Sequence, residues 1–169
     1  MSTTFRWRLT LAALAAVFSG GCILTALLAL GLADPPRTGT LQWQADTPPQ
    51  APVNLPAAYT LELTARNNGP PESAWGIRLA RVEETLAILI DNQGYLSISS
   101  DDKLHWAEFP HIRPFDKNQL YLHVEPDSTA TLRINHEIAW EGAVKASAWE
   151  TVEHQQSALD WQTIALYYE

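Results

Sequence analysis

The chain has 169 residues and a formal net charge of −8 at pH 7. The part that follows the N-terminal apolar run is long enough for one ordinary domain. An acidic surface repels nucleic-acid phosphates, which argues against nucleic-acid binding. The single cysteine, Cys22, lies in an N-terminal apolar run, so the rest of the chain has neither a disulfide nor a thiolate metal site and depends on a hydrophobic core.

The first predicted element is a transmembrane helix at residues 9–33. No charged side chain occurs from Leu9 to Ala33, and a helix of this length reaches about 37 Å, against about 30 Å for the hydrocarbon core of a bilayer. Arg6 and Arg8 precede the run and Asp34 follows it. Because positive flanks stay cytoplasmic, the sequence predicts a single-pass cell-membrane protein with residues 1–8 in the cytoplasm and the C-terminal domain outside.

Two processing alternatives compete with this anchor. Gly31 and Ala33 are small residues at the spacing of a signal-peptidase site, so cleavage after Ala33 would release a secreted protein. Cys22 follows Gly20 and Gly21, as in the last positions of a lipoprotein signal, although Ser19 stands where a leucine is expected. All three alternatives keep the domain outside the cytoplasm.

Residues 34–57 are predicted to be a linker. Six prolines lie between Asp34 and Pro56, and proline favours extended polyproline-like chain over helix. Within the linker, the alternating segment Thr40–Ala45 is a candidate first strand.

Residues 58–169 are predicted to be a β-sandwich domain. Apolar and polar residues alternate from Tyr59 to Arg66, as in a strand with one buried face. A turn signal at Asp91–Gly94 predicts a hairpin of residues 85–90 with 95–99, and Asn135-His136 is typical of a two-residue turn. For residues 142–160, the sequence does not decide between a short helix and a loop. About nine short strands indicate an all-β, antiparallel two-sheet sandwich.

Several of these segments together resemble the concanavalin A-like, laminin-G-type jelly rolls. The segments are 59–65, 75–77, 90–96, 118–124 and 132–138. His136 stands where this family usually has glycine in its "strand, Asn-Gly, strand" element. The resemblance implies a jelly roll, and its relatives include sugar-binding domains, protein-binding modules and glycoside hydrolases, so it does not select one function.

No catalytic residue, metal ligand or cofactor is predicted. The laminarinase-like branch of the superfamily has a Glu-x-Asp-x-x-Glu strand, which is absent, and the acidic residues at 83–84 and 101–102 are adjacent pairs that a strand would send to opposite faces. The five histidines have no spacing that suits one metal. The alternative is a calcium site of loop oxygens from Asp91, Asp101 or Asp102.

Aromatic residues are the candidate ligand-binding residues, because exposed aromatic rings on a sheet can stack on sugars or anchor a partner. These candidates are Trp106, Trp149, Tyr95 and Tyr121. Burial in the core is the alternative for Trp106 and Trp149, and it is expected for the tryptophans within predicted strands, Trp75, Trp140 and Trp161.

The functional prediction is therefore a membrane-anchored binding module for a glycan or an envelope protein, without enzymatic activity. Two alternatives stay open. Ala12, Ala16 and Gly20 share one helix face of the kind that pairs helices, which suits an accessory subunit of a membrane complex. The superfamily alone suggests a glycosidase-like enzyme. The oligomeric state is left open.

Overall fold

The computed structural model describes residues 3–29, 33–80, 85–100 and 103–169. Helix α1 spans Thr3–Ala29. Twelve strands follow it in the described part of the chain: β1 (Thr40–Ala45), β2 (Val53–Asn54), β3 (Tyr59–Asn67), β4 (Ala74–Ala80), β5 (Thr85–Asp91), β6 (Tyr95–Ser99), β7 (Trp106–Glu108), β8 (Lys117–Val124), β9 (Thr129–Ile134), β10 (Glu137–Ala143), β11 (Ala148–His154) and β12 (Leu159–Tyr168).

The chain forms two compact units, Met1–Pro35 and Pro36–Glu169. In the part of the chain that the structure describes, no helix is both long enough and apolar enough to cross a membrane. The transmembrane helix at Leu9–Ala33 stays a prediction, and its residues 30–32 lie outside the described residues.

The second unit is a sandwich of two six-stranded sheets. Sheet A has the order β1-β12-β3-β8-β9-β10, and sheet B has the order β2-β11-β4-β5-β6-β7. Every strand pair is antiparallel. This confirms the predicted all-β, antiparallel two-sheet sandwich.

The segment predicted as a Pro-rich linker, residues 34–57, contributes to both sheets. The candidate strand at 40–45 is β1, which pairs with β12 at the edge of sheet A, and β2 pairs with β11 at the edge of sheet B. The compact unit begins at Pro36 rather than at Ala58. The six prolines of this segment are compatible with this because all of them lie outside β1 and β2, where no ladder hydrogen bond is needed.

Side-chain alternation places the core between the sheets. In β3, Leu61 and Leu63 point inward and are fully buried. Trp75 meets Trp161 edge-to-face at 5.3 Å between ring centroids, and Trp149 meets Trp43 at 6.1 Å. Such pairs add to the free energy of area burial, so aromatic packing joins the two sheets where a disulfide is absent.

Two local predictions have clear outcomes. The turn predicted at Asn135-His136 is confirmed, because both residues have positive φ (52° and 76°) and connect β9 to β10. The undecided stretch 142–160 contains strand β11. Alternation is weak in β11 because its buried residue Trp149 is accompanied by half-buried Thr151 and exposed Glu153 on the same side.

A first prediction concerns Gly76 in β4. A methyl group here would collide with the carbonyl oxygen of Ile88 on β5. Gly76→Ala should therefore lower the free energy of unfolding by about 1–3 kcal/mol, the usual cost of overpacking. The measurement is chemical denaturation followed by tryptophan fluorescence.

The matched control is Gly21→Ala in α1, where the new methyl group meets nothing within 4 Å. It should leave the fluorescence transition unchanged. An unchanged midpoint for Gly76→Ala would contradict the close approach of β4 to β5.

Candidate functional site

A cleft on the outer face of sheet B is the candidate site, and we call it the aromatic cleft. Its volume is about 270 Å³. It is lined by Glu72, Asp91, Gln93, Tyr95, Trp106, His154 and Gln155. These residues come from four places in the sequence: the loop before β4, the β5–β6 turn, strand β6 with the edge strand β7, and the end of β11.

Strand register places the two aromatic rings on the same face. Tyr95 lies opposite Glu108, and Trp106 lies opposite Ser97, whereas Leu96 between them points into the core. Tyr95 and Trp106 are therefore diagonal neighbours, whose Cα atoms lie about 7–8 Å apart in such a pair. Each side chain is 37% exposed, although large aromatic residues usually bury most of their surface.

The β5–β6 turn holds one side of the cleft rigidly. Asp91 is only 8% exposed, and its Oδ1 accepts hydrogen bonds from the backbone N–H groups of Gln93 (2.9 Å) and Tyr95 (2.8 Å). Gly94 has φ +95°, a conformation that glycine adopts without strain. The carboxylate thus fixes the positions of Gln93 and Tyr95 at the edge of the cleft.

A buried amide fixes the loop that carries Glu72. The Nδ2 group of Asn92 donates to the carbonyl oxygens of Gly69 (3.0 Å) and Asn67 (3.2 Å). Asn67 in turn donates through Nδ2 to Ser73 Oγ (3.0 Å). The loop before β4 is therefore tied to the β5–β6 turn, which orders two walls of the cleft together.

The remaining wall is the end of β11. His154 pairs with Ala74 in the sheet, and Gln155 follows it with a positive φ of 54°. Left-handed backbone at a residue other than glycine is strained, and such strain often occurs at functional sites.

The aromatic cleft therefore combines ring faces with polar groups in one depression. Ring faces can pack on the C–H side of a small ligand, while carboxylate, amide and imidazole groups can bond to its hydroxyl or amine groups. This mixture of apolar surface and few polar groups is typical of small-molecule sites.

The structure brings together two of the four predicted ligand-binding residues. Tyr95 and Trp106 both line the aromatic cleft. Trp149 and Tyr121 do not, because each is fully buried: Trp149 packs on Trp43 in the core, and Tyr121 lies in β8 of sheet A. Neither presents a ring to a ligand, and for Trp149 this is the core burial that the sequence offered as the alternative.

Sequence reasoning missed Glu72, Gln93, His154 and Gln155. They lie in turns and at a strand end, where polar residues are ordinary. The signal that was available is the Asp-Asn-Gln-Gly turn, whose Asp91 and Gln93 both reach the cleft.

Metal binding finds no support in the described residues. They contain no group of three or more His, Cys, Asp or Glu side chains arranged to hold an ion. Of the three candidate calcium ligands, Asp91 accepts two backbone hydrogen bonds in its turn. The other two, Asp101 and Asp102, lie outside the described residues. The acidic pair Glu83 and Glu84 also lies outside them.

The outer face of sheet A carries a second polar cluster that is satisfied internally. Arg37 donates to Glu62 Oε2 through Nε (3.0 Å) and Nη2 (2.7 Å), and Gln119 Nε2 donates to Glu62 Oε1 (2.8 Å). Burial acts to lower the pKa of Arg37, but the hydrogen bond and charge of Glu62 outweigh it and raise the pKa. Arg37 also lies over the ring of Tyr167, 5.4 Å from its centroid.

Thr38, the residue after Arg37, is held on the same outer face of sheet A. The Thr38 N–H donates to Thr60 Oγ1 (3.0 Å), and the Thr38 hydroxyl lies 3.1 Å from His123 Nδ1. A polar cavity of about 290 Å³ lies beside this cluster. Its Glu62 already has protein partners at both oxygens, so the aromatic cleft is the better candidate.

Comparison with solved structures supports the β-sandwich fold. No known protein family matches the sequence, and no curated protein matches it. The structure is similar to sheep galectin-11 in complex with glycerol (TM-score 0.52, 11% identity, 79% of this chain and 99% of that chain). It is also similar to the galectin LEC-6 of Caenorhabditis elegans (TM-score 0.52, 13% identity, 74% of this chain and 96% of that chain). A third similar structure is the carbohydrate recognition domain of Emp46p in its metal-free form (TM-score 0.52, 12% identity, 71% of this chain and 75% of that chain).

At these identities the similarity establishes the fold alone. The chain has the jelly-roll sandwich of galectin and concanavalin A-like lectin domains, which confirms the coarser part of the predicted resemblance. The laminin-G type has no support among these structures.

The contact between Arg37 and Glu62 gives a second prediction. Arg37 is 43% exposed and Glu62 11% exposed at the side chain, so the pair is partly shielded from solvent. A double-mutant cycle of Arg37→Ala and Glu62→Gln should give a coupling energy of about 1 kcal/mol in chemical denaturation. Additive effects would mean that the residues preceding β1 are not held on sheet A through this pair.

Proposed function

We propose that this chain is a carbohydrate-binding module and that the ligand lies in the aromatic cleft. The observation that carries the proposal is the pair of exposed rings, Tyr95 and Trp106, on adjacent strands beside the ordered carboxylate of Asp91. A sugar ring has apolar C–H faces and polar edges, and the cleft offers partners for both.

The fold supports the same proposal. Two of the similar structures are galectins and a third is a carbohydrate recognition domain, so the architecture accommodates proteins of this kind. The cleft of about 270 Å³ is slightly smaller than the sites of about 300–1,000 Å³ that enclose drug-sized ligands. We therefore expect it to hold one or two sugar units of a longer chain.

Binding is favoured over hydrolysis. A glycosidase needs two carboxyl groups, about 5–10 Å apart, that act on the glycosidic bond. Asp91 and Glu72 both line the cleft, but Asp91 accepts two backbone hydrogen bonds at Oδ1, which fix this carboxylate in the turn. The alternative to a glycan ligand is a protein of the cell envelope, which would use the same exposed rings.

We further propose that the module lies at the outer face of the cell membrane. The support is in the sequence, where Leu9–Ala33 contains no charged residue and follows Arg6 and Arg8. A secreted form cleaved after Ala33 and a membrane-complex subunit are the alternatives.

Substitution of the exposed rings tests glycan binding. The full chain is screened on an array of oligosaccharides, and the Kd of the strongest ligand is measured by calorimetry. Trp106→Ala should weaken binding about 5- to 150-fold, because loss of a stacked aromatic ring removes roughly 1–3 kcal/mol. Tyr95→Ala should weaken it in the same direction.

The control is Phe115→Ala. Phe115 is 45% exposed, and its carbonyl oxygen accepts a hydrogen bond from Arg66 Nε that the substitution preserves. This variant loses an exposed ring outside the cleft and should bind normally. A screen without any ligand, or equal losses for Phe115→Ala and Trp106→Ala, would contradict the proposal.

Fractionation tests the location. The chain should sediment with membranes and resist extraction by high salt and alkaline carbonate, because an inserted apolar helix is held by burial rather than by charge. Protease added outside intact cells should remove the sandwich. Recovery of the intact chain in the cytosol would refute the proposed location.

A further inference from the structure

The aromatic cleft has an acidic lining without a basic partner. Glu72 and Asp91 line it, and Glu108 lies opposite Tyr95 on the neighbouring strand. None of these three carboxylates forms an ion pair within the described residues. Among the described residues, the lining contains neither lysine nor arginine, and His154 supplies its one imidazole.

Asp91 has one carboxylate oxygen left for a ligand. Although 92% of this residue is buried, both of its hydrogen bonds end on Oδ1. Among the described residues no donor reaches Oδ2, and this oxygen is not among the fully buried atoms that lack a partner. Oδ2 is therefore not fully buried, in a residue that is only 8% exposed, and the turn holds the carboxylate in place.

The arginine within the described strands of sheet B already has an acidic partner. Arg78 in β4 is paired with Glu150 of β11 at 2.8 Å, so its guanidinium is already engaged. Among the described lining residues, an anionic sugar would meet two carboxylates and neither lysine nor arginine, whereas a cationic group would find an oriented acceptor.

We propose that the cleft selects amino sugars that carry a free, protonated amine. The inference rests on the proposed function and adds the ligand class to it. The sugar ring packs on Trp106, and its ammonium group donates to Asp91 Oδ2 and to the carboxylate of Glu72. An ammonium group has three donors and no acceptor, and hydrogen bonds between ionised partners are stronger than neutral ones.

The test uses ligands that differ in the amine alone. The full chain is titrated with a glucosamine hexamer, with the same hexamer fully N-acetylated, and with a galacturonate hexamer, at a pH where titration of the free sugar has shown the amines to be protonated. The amine-bearing hexamer should bind about three- to ten-fold more tightly than its acetylated form, and the galacturonate should bind most weakly. Added salt should reduce the difference.

Isosteric variants assign the preference to the cleft. In the double variant Glu72→Gln and Asp91→Asn, the new Oδ1 still accepts the hydrogen bonds of the turn, but both charges are lost. It should bind the two glucosamine hexamers with equal affinity, so that the preference for the free amine is lost. The control is Glu137→Gln with Glu141→Gln, which removes two charges from β10 of sheet A and should keep the preference.

The outcomes separate the two proposals. Equal affinity for both glucosamine hexamers, with both lost in Trp106→Ala, would overturn the ligand class and leave glycan binding intact. No binding of any hexamer would overturn the ligand class, and an oligosaccharide array that also yields no ligand would overturn glycan binding as well. Hexalysine that bound as tightly as the amino sugar, and kept its affinity in Trp106→Ala, would mean that charge alone is recognised and would overturn the sugar specificity.

Discussion

The constraint on which this structure depends is the two-residue period of its strands combined with their register. The sandwich contains no cysteine, so its stability depends on burying every inward side chain between the sheets. This period sends Leu96 inward and Tyr95 outward on β6, and the pairing of Ser97 with Trp106 sends the tryptophan of β7 to the same outer face. A shift of one residue would bury the candidate site and expose the core.

The same constraint separates structural from functional aromatic residues. Trp75 and Trp149 lie on inward positions and pack edge-to-face with partners across the core, whereas Trp106 lies on a short edge strand where nothing in the protein covers more of it. Edge strands carry fewer packing contacts, so an exposed tryptophan there costs the fold little. This difference explains why one ring is available for binding.

The sequence predicted the fold better than the site, for a physical reason. Alternation in β3 and the turn signals at Asp91–Gly94 and Asn135-His136 are local properties, and the structure has these elements at the predicted positions. The site depends on which strands become neighbours. Trp149 was a candidate because β11 alternates weakly, and its burial follows from pairing with β4, a contact that no local pattern encodes.

The most direct test of the account is a solution NMR titration of the full chain with the glucosamine hexamer, observing the indole Nε1–H signals of its seven tryptophans. The account predicts a saturable shift of the Trp106 signal, accompanied by backbone amides of Gln93 and Tyr95, while the buried indoles of Trp75 and Trp149 stay unchanged. Shifts confined to sheet A, or no saturable shift at Trp106, would contradict a ligand site in the aromatic cleft.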